Sequence, residues 1–264
     1  MTYSLAHIIN PVVVDATSDL FTAQPVTFET MRIARRFDCG GEGIQLYAVG
    51  QAGERSVPLP ADFIAARDLT RSVGDLKTFR HKRTLPLIGD ILDILYETSD
   101  ADYLIYTNVD IALQPYFYQS VRRIIALGYD AFVINRRTIP ERYKAMEDLP
   151  LMYADVGEKH PGWDCFVFHR RLHPRFKLGA VCIGMGWFGR TMIVNMAALA
   201  RQFEVFGDLH ATFHIGNDRT WQAPQWEDYR EHNKNECRNI LTDFDRRFGP
   251  FDREKLPGRF FSRL

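Results

Sequence analysis

A surplus of charge of either sign is missing from this chain. Its 264 residues carry 33 Lys+Arg against 33 Asp+Glu, with an isoelectric point of about 7.1. A neutral total gives no long-range attraction to nucleic acid or to an anionic membrane. Long uncharged runs are missing too. The longest stretch without Asp, Glu, Lys or Arg is the first 14 residues, short of the ~18 that a membrane-spanning helix needs. That stretch has no basic leader and is interrupted by Asn10-Pro11, so it does not read as a signal peptide. Cysteine is scarce, and Cys39, Cys165, Cys182 and Cys237 are too widely spaced for a zinc knuckle or a redox pair. Two of them sit in apolar, strand-like runs, as reduced buried thiols do. No Gly-x-Ser-x-Gly, Walker-type loop or His-Glu-x-x-His occurs, which removes the signatures of α/β-hydrolases, P-loop enzymes and zincins. Apolar residues are plentiful, at 46% hydrophobic and 13% aromatic, so disorder is excluded. The expectation is one cytoplasmic globular domain that binds no nucleic acid.

Apolar runs alternate with helix-patterned segments, the arrangement of an α/β sheet. Strands are expected at Leu5–Val14, Ile44–Val49, Tyr103–Thr107, Ala131–Asn135, Cys165–Phe168 and Ala211–Ile215. Helices are expected at 28–37, 85–96 with Thr84 as N-cap, 115–127 behind Pro115, and 191–203, with residues 50–80 as loop plus one short helix. The first helix should stop at Cys39-Gly40-Gly41, a C-terminal glycine signal. From 216 onward the chain reads as polar, aromatic and turn-rich. Strands separated by helices imply a mostly parallel sheet, whose ligand site lies beyond the carboxyl ends of its strands.

The strongest chemical signal is Asp102-Tyr-Leu-Ile-Tyr-Thr-Asn-Val-Asp110. In an extended segment residues i and i+2 point the same way, so Asn108 and Asp110 could both offer oxygen to one hard divalent cation. The same two residue types also turn a chain and cap a helix well. Further along, His160-Pro-Gly-Trp-Asp-Cys-Phe-Val-Phe168 puts Asp164 at the mouth of a strand beside Trp163. An indole can cover the apolar face of a pyranose while a carboxylate accepts its hydroxyl hydrogens; the other reading is a turn cap beside a core tryptophan. His214 lies late, on Ala211-Thr-Phe-His-Ile215, and an isolated histidine there could equally be a core residue bonded to backbone.

The unit from Arg83 to Asp110, ending in an Asn-Val-Asp variant of an Asp-x-Asp motif, resembles the metal and nucleotide-sugar site of GT-A-fold glycosyltransferases, with matching element order over roughly residues 3 to 220. The resemblance implies a single GT-A-like (Rossmann-like) domain with a mostly parallel mixed sheet flanked by helices. It implies a nucleotide-binding half of about 1–128, an acceptor-binding half of about 129–220 and a C-terminal tail of about 221–264. The activity implied is transfer of a sugar from a nucleotide-diphosphate sugar to a sugar, glycan or lipid-linked glycan acceptor. Asp110, His214 and Asn108 would hold the metal, with Mn²⁺ favoured over Mg²⁺ because imidazole suits it better. Asn108 brings a carbonyl oxygen but no charge. Asn10 would contact the base, and Arg83, with Arg136-Arg137 and Arg219 at lower weight, would face the diphosphate. Asp164 would be the general base, and Trp163 and Trp187 the acceptor surfaces, the latter on the glycine-rich Gly184-Met-Gly-Trp-Phe-Gly189.

Two alternatives stay open. Asn108 is compatible with a catalytically silent nucleotide- or carbohydrate-binding protein of the same fold. A sugar-phosphate nucleotidyltransferase would carry a Gly-rich, Arg-containing run after the first strand, which Leu5-Ala-His-Ile-Ile-Asn-Pro11 lacks. The tail 246–264 sets six basic residues against Asp252 and Glu254, with four phenylalanines between. Such a tail can touch a membrane peripherally or pack on the sheet or on another subunit.

Overall fold

Residues 3–38, 43–217 and 219–249 are described by a computed structural model. The expected helix stop at Cys39-Gly40-Gly41 and the basic-aromatic tail beyond Gly249 lie outside the described residues. Seven strands form the main sheet: β1 (Leu5–Ile9), β2 (Ile44–Ala48), β3 (Phe63–Ala65), β4 (Tyr103–Thr107), β6 (Ala131–Ile134), β9 (Cys165–His169) and β10 (Phe203–Phe206), in the order β10-β6-β9-β4-β1-β2-β3. All pairs are parallel except those made by β9, which runs antiparallel between β4 and β6. A second sheet has the order β5-β11-β7-β8, from β5 (Ala112–Leu113), β7 (Arg137–Ile139), β8 (Glu158–Lys159) and β11 (Thr212–Ile215).

Successive side chains of a strand go to opposite faces, and the two cores divide accordingly. Ala6, Ile8, Leu104, Tyr106, Phe166 and Phe168 face the layer made by α3 (Ile88–Thr98), α6 (Phe188–Leu199) and α7 (Glu227–Phe248). Leu5, Ile9, Tyr103, Ile105 and Val167 face α1 (Leu20–Phe37) and α4 (Phe117–Ala126). Two short helices, α2 (Val73–Leu76) and α5 (Leu149–Ala154), complete the described set. The fold is therefore an α/β/α sandwich with a mostly parallel mixed sheet, as the alternation of elements predicts. Among the described residues no helix is long and apolar enough to cross a membrane.

Several elements differ from the sequence reading: strand β3 lies within residues 50–80, expected as loop plus one short helix, and α3 begins at Ile88 with Leu87, not Thr84, at its N-cap. The first helix starts at Leu20 and runs through Pro25, which sits in the second turn and removes one backbone bond from it. The helix expected over 191–203 runs from Phe188 to Leu199, and Phe203, read as its end, opens strand β10. The segment read as turn-rich holds α7, a 22-residue helix. Its buried positions Tyr229, His232, Asn233, Cys237, Ile240 and Phe244 fall on one face, but two of the six, His232 and Asn233, are polar, so the apolar periodicity is faint.

His7 is fully buried on β1, its ring between the hydroxyls of Tyr118 and Thr107, each 2.9 Å away. Burial pushes its pKa down to about 3, so the native ring is neutral while the unfolded ring protonates below about 6.5. The unfolded state then binds more protons between those two values. The His7 contribution is complete above pH 6.5 and lost as pH falls through that window. Acidification from pH 6.5 to 5 is expected to remove about 2 kcal/mol through this residue. Urea midpoints of His7→Gln should be flatter over that range than those of the parent chain, and parallel curves would refute the assignment.

Candidate active site

The direction of β9 creates the site. Because it is antiparallel, its first residue pairs with the last residues of its neighbours, Cys165 with Thr107 and with Ile134. Asp164 therefore stands at the carboxyl edge of a sheet whose other strands point their C-termini there. Asn108 follows β4 and Asn135-Arg136 follow β6 at the same edge. The second sheet supplies the rest. Strand β5 pairs with β11, Ala112 with Phe213, which brings Asp110, two residues before β5, against His214.

Asp110 Oδ2 and His214 Nε2 are 3.1 Å apart, and His214 Nδ1 is 2.9 Å from the carbonyl of Gly216. Gly216 has φ of +73°, a left-handed turn that glycine adopts readily and that folds this carbonyl back onto the ring. A carbonyl can only accept, so Nδ1 carries a hydrogen and Nε2 is committed to whatever lies at Asp110. Burial works against a charged ring, but the Asp110 carboxylate outweighs it and holds the His214 pKa above its ordinary value. Burial likewise opposes an ionised Asp110, and the bond from His214 overcomes it, so the Asp110 pKa lies below the ordinary carboxylate value.

Asp164 is buried and engaged on three sides. Its Oδ1 accepts from the Asn108 amide at 3.4 Å, while Oδ2 lies 3.3 Å from Arg136 Nη1 and 3.9 Å from His160 Nδ1. The Arg136 contact is an ion pair without hydrogen-bond alignment, so Oδ2 keeps its acceptor capacity. The other side of Asn108 is occupied as well, since its Oδ1 accepts from the Tyr106 hydroxyl at 3.1 Å. His160 accepts from the Gly162 N–H at 3.0 Å. Burial first, then Arg136, pushes the His160 pKa to about 4, leaving a neutral ring.

Buried polar side-chain atoms normally have partners. Of the ten that lack one among the described residues, four are Asp110 Oδ1, Asn135 Oδ1, Arg136 Nε and Asp164 Oδ2. Their concentration in one cluster marks a place shaped for a polar ligand. Asp110 Oδ1 and His214 Nε2 fit a divalent cation, one charged oxygen and one imidazole nitrogen with its other nitrogen already fixed. No group of three His, Cys, Asp or Glu side chains suited to a metal occurs among the described residues, so other ligands would come from substrate oxygens and water.

Several expected residues are placed differently from the extended i, i+2 arrangement. Strand β4 ends at Thr107, and Asn108 to Asp110 form a turn closed by Ile111 N–H to Asn108 carbonyl at 3.2 Å. The two side chains consequently diverge, Asn108 toward Asp164 and Asp110 toward His214. Asn10 spends its amide on the Val49 carbonyl at 2.7 Å, tying β1 to β2. Asn10 does not itself line the cavity of about 110 Å³ that opens at its chain neighbours Pro11 and Val12, with Gly50, Gln51 and Asp68 around it. Arg83 lies with its guanidinium over Trp226 at 4.8 Å, on the α7 side of the molecule. Arg219 is exposed, near enough to His160 to contribute to its depressed pKa. Trp163 is buried behind Arg190, and Trp187 lines a second cavity. His160 and Tyr106 were not singled out from sequence. Arg136 was weighed low, though its position just past a buried strand was the available signal.

No family model and no curated protein matches the chain. Solved structures share its fold. S. aureus TarS residues 1–349 in complex with UDP-GlcNAc matches at TM-score 0.50 and 11% identity, over 99% of this chain and 76% of that one. The mannosyltransferase PcManGT from Pyrobaculum calidifontis, in complex with GDP-Man and Mn²⁺, matches at TM-score 0.52 and 12% identity, over 90% of this chain and 63% of that one. At these identities the likeness defines the fold, which is GT-A-like.

Proposed function

We propose that this chain transfers a sugar from a nucleotide-diphosphate sugar to an acceptor hydroxyl, with a divalent metal at Asp110 and His214. What carries the reading is the pair of buried, unbonded carboxylate oxygens, Asp110 Oδ1 and Asp164 Oδ2, on two sides of Asn108 at the ligand edge of the sheet. Support comes also from fold neighbours solved with UDP-GlcNAc and with GDP-Man and Mn²⁺. Bound there, Mn²⁺ or a similar ion would neutralise the leaving diphosphate. Asp110 supplies the charged oxygen and His214 the nitrogen, held in place by Gly216.

Asp164 takes the proton of the attacking hydroxyl on Oδ2, its ready acceptor atom. Asn108 fixes the other oxygen, and Arg136 stands as counter-ion, also within reach of donor phosphate oxygens. Arg219 approaches the diphosphate from the β11 side. The cavity lined by Pro11 and Val12 takes the nucleotide base, and Trp163 and Trp187 belong to the acceptor side, with Asp164. The reduced state of buried Cys165, Cys182 and Cys237 accords with a cytoplasmic setting.

Thermal shift with UDP and GDP, with and without Mn²⁺, tests the reading. A nucleotide at 100 times its Kd adds about 2.7 kcal/mol of stability, and this gain should require the metal. A nucleoside triphosphate with a sugar phosphate stabilising instead would favour a nucleotidyltransferase, and no response to any nucleotide would refute the proposal. His214→Ala should weaken Mn²⁺ binding by ~10–100-fold, read by titration calorimetry. If only the melting temperature falls and metal affinity stays, His214 is a core residue.

A further inference from the structure

All four tryptophans of the chain, Trp163, Trp187, Trp221 and Trp226, gather on one side of the molecule, around the start of α6 and the start of α7. Between them opens a cavity of about 320 Å³, at the lower end of the ~300–1,000 Å³ usual for ligand pockets. Trp187 and Trp221 line it directly, with polar groups from the first turns of α7 along its rim. The cavity is joined to the Asp164 site by stacking. The Arg190 guanidinium lies 4.5 Å from the Trp187 ring centroid and 5.3 Å from that of Trp163, and Trp163 is the residue before Asp164.

Trp187 is held in a costly conformation. Its φ is +79°, and among the described non-glycine residues only His210 shares a positive φ. A large aromatic gains nothing locally from the left-handed region, and glycines stand at 184, 186 and 189 around it. Strain of this kind persists where the aimed side chain has a task. The Trp221 ring is aimed by the same loop. A Cβ placed on Gly186 would come to 3.0 Å from Trp221 Cζ3, so the loop backbone packs closely on the indole. Arg230 fixes the other side by donating to the carbonyls of Trp221 and Ala223, at 2.8 and 3.0 Å.

The charges in the cavity decide what it can take. Arg230 is paired with Glu227, and Lys234 lies 3.5 Å from Glu231. Arg190 is stacked on the indoles. A nucleoside diphosphate would meet two carboxylates and only matched cations, and a hydrocarbon chain would take these ion pairs out of water with nothing to replace their solvent contacts. A ring with an apolar C–H face and a rim of hydroxyls fits both halves, the indoles below and the paired carboxylates, ammonium and Gln222 amide around it. Resting on the transferase reading, and deepening it, we propose that the acceptor is an uncharged oligosaccharide. Its sugar rings lie on Trp187 and Trp221, and its terminal hydroxyl points past Trp163 to Asp164.

An array of neutral, acidic and lipid-linked glycans, probed with the full chain, tests this. Neutral oligosaccharides should be retained, and Trp221→Ala should lower retention roughly tenfold. Trp187→Gly is the sharper variant. It relieves the left-handed strain, so its melting temperature should equal or exceed that of the parent while retention falls by the same order. Retention of acidic or lipid-linked glycans alone, equal retention by both variants, or no retention at all would overturn the proposal. UDP and GDP binding with Mn²⁺, measured on the same samples, separates the two readings. Glycan retention without nucleotide binding sinks the transferase and leaves the cleft, and nucleotide binding without glycan retention does the reverse.

Discussion

Asp164→Asn is expected to lower kcat by about 10²–10⁴-fold while leaving Mn²⁺-dependent donor binding nearly unchanged, the range that general-base help supplies. The substitution keeps the volume and one acceptor oxygen, so Asn108 can still hold the side chain. It removes the oxygen lone pairs able to take a proton, now Oδ2, which has no hydrogen-bond donor. Stability will fall too, because Arg136 loses its counter-ion in a site where its side chain is 9% exposed, and a buried charge without its partner costs about 3–5 kcal/mol. Rates should therefore be taken well below the melting temperature and compared with Arg136→Lys, which retains the charge. A turnover drop matched by an equal loss of donor affinity would place Asp164 on the donor side, and a variant with normal turnover would reduce it to a turn residue.

How much of this was legible in the sequence depends on what each residue's position required. Strand β4 was readable because Tyr103 to Thr107 are buried on both faces, giving an unbroken run. The polar residues ending such a run had to meet the ligand edge, so Asn108 and Asp110 could be singled out. Their divergence could not, because it depends on a three-residue turn rather than continued extension. His214 was identified by order in the chain, but its partner is set by β5–β11 pairing, and β5 is two residues long. Strands that short leave no periodicity. Arg136 reaches Asp164 only because β9 runs against its neighbours, and nothing in Cys165–His169 distinguishes a parallel from an antiparallel central strand. Helix α7 was hidden by its polar composition, and with it went the cavity that gathers the tryptophans. Trp187 was singled out as a surface for stacking, but its left-handed backbone is visible only in three dimensions.

Asp110→Asn should abolish Mn²⁺-supported nucleotide binding, with a loss of at least ~100-fold in metal affinity, taking the scale for perturbed metal sites as a floor. The change removes a formal charge and leaves the volume. An Asn oxygen can still accept from His214, so the β5–β11 contact and the circular dichroism spectrum should survive. What is lost is the charged oxygen, Oδ1, that has no hydrogen-bond partner among the described residues. The sharper form of the prediction uses both residues. If Asp110 and His214 hold one ion, removing either disables the same site, and Asp110→Asn with His214→Ala should be little worse than Asp110→Asn alone. Residues sharing a partner fail to add in this way, whereas independent sites add within about 0.3–0.5 kcal/mol. Additive losses would mean that the two side chains act separately, and unchanged metal-dependent binding in Asp110→Asn would move the ion away from this turn altogether.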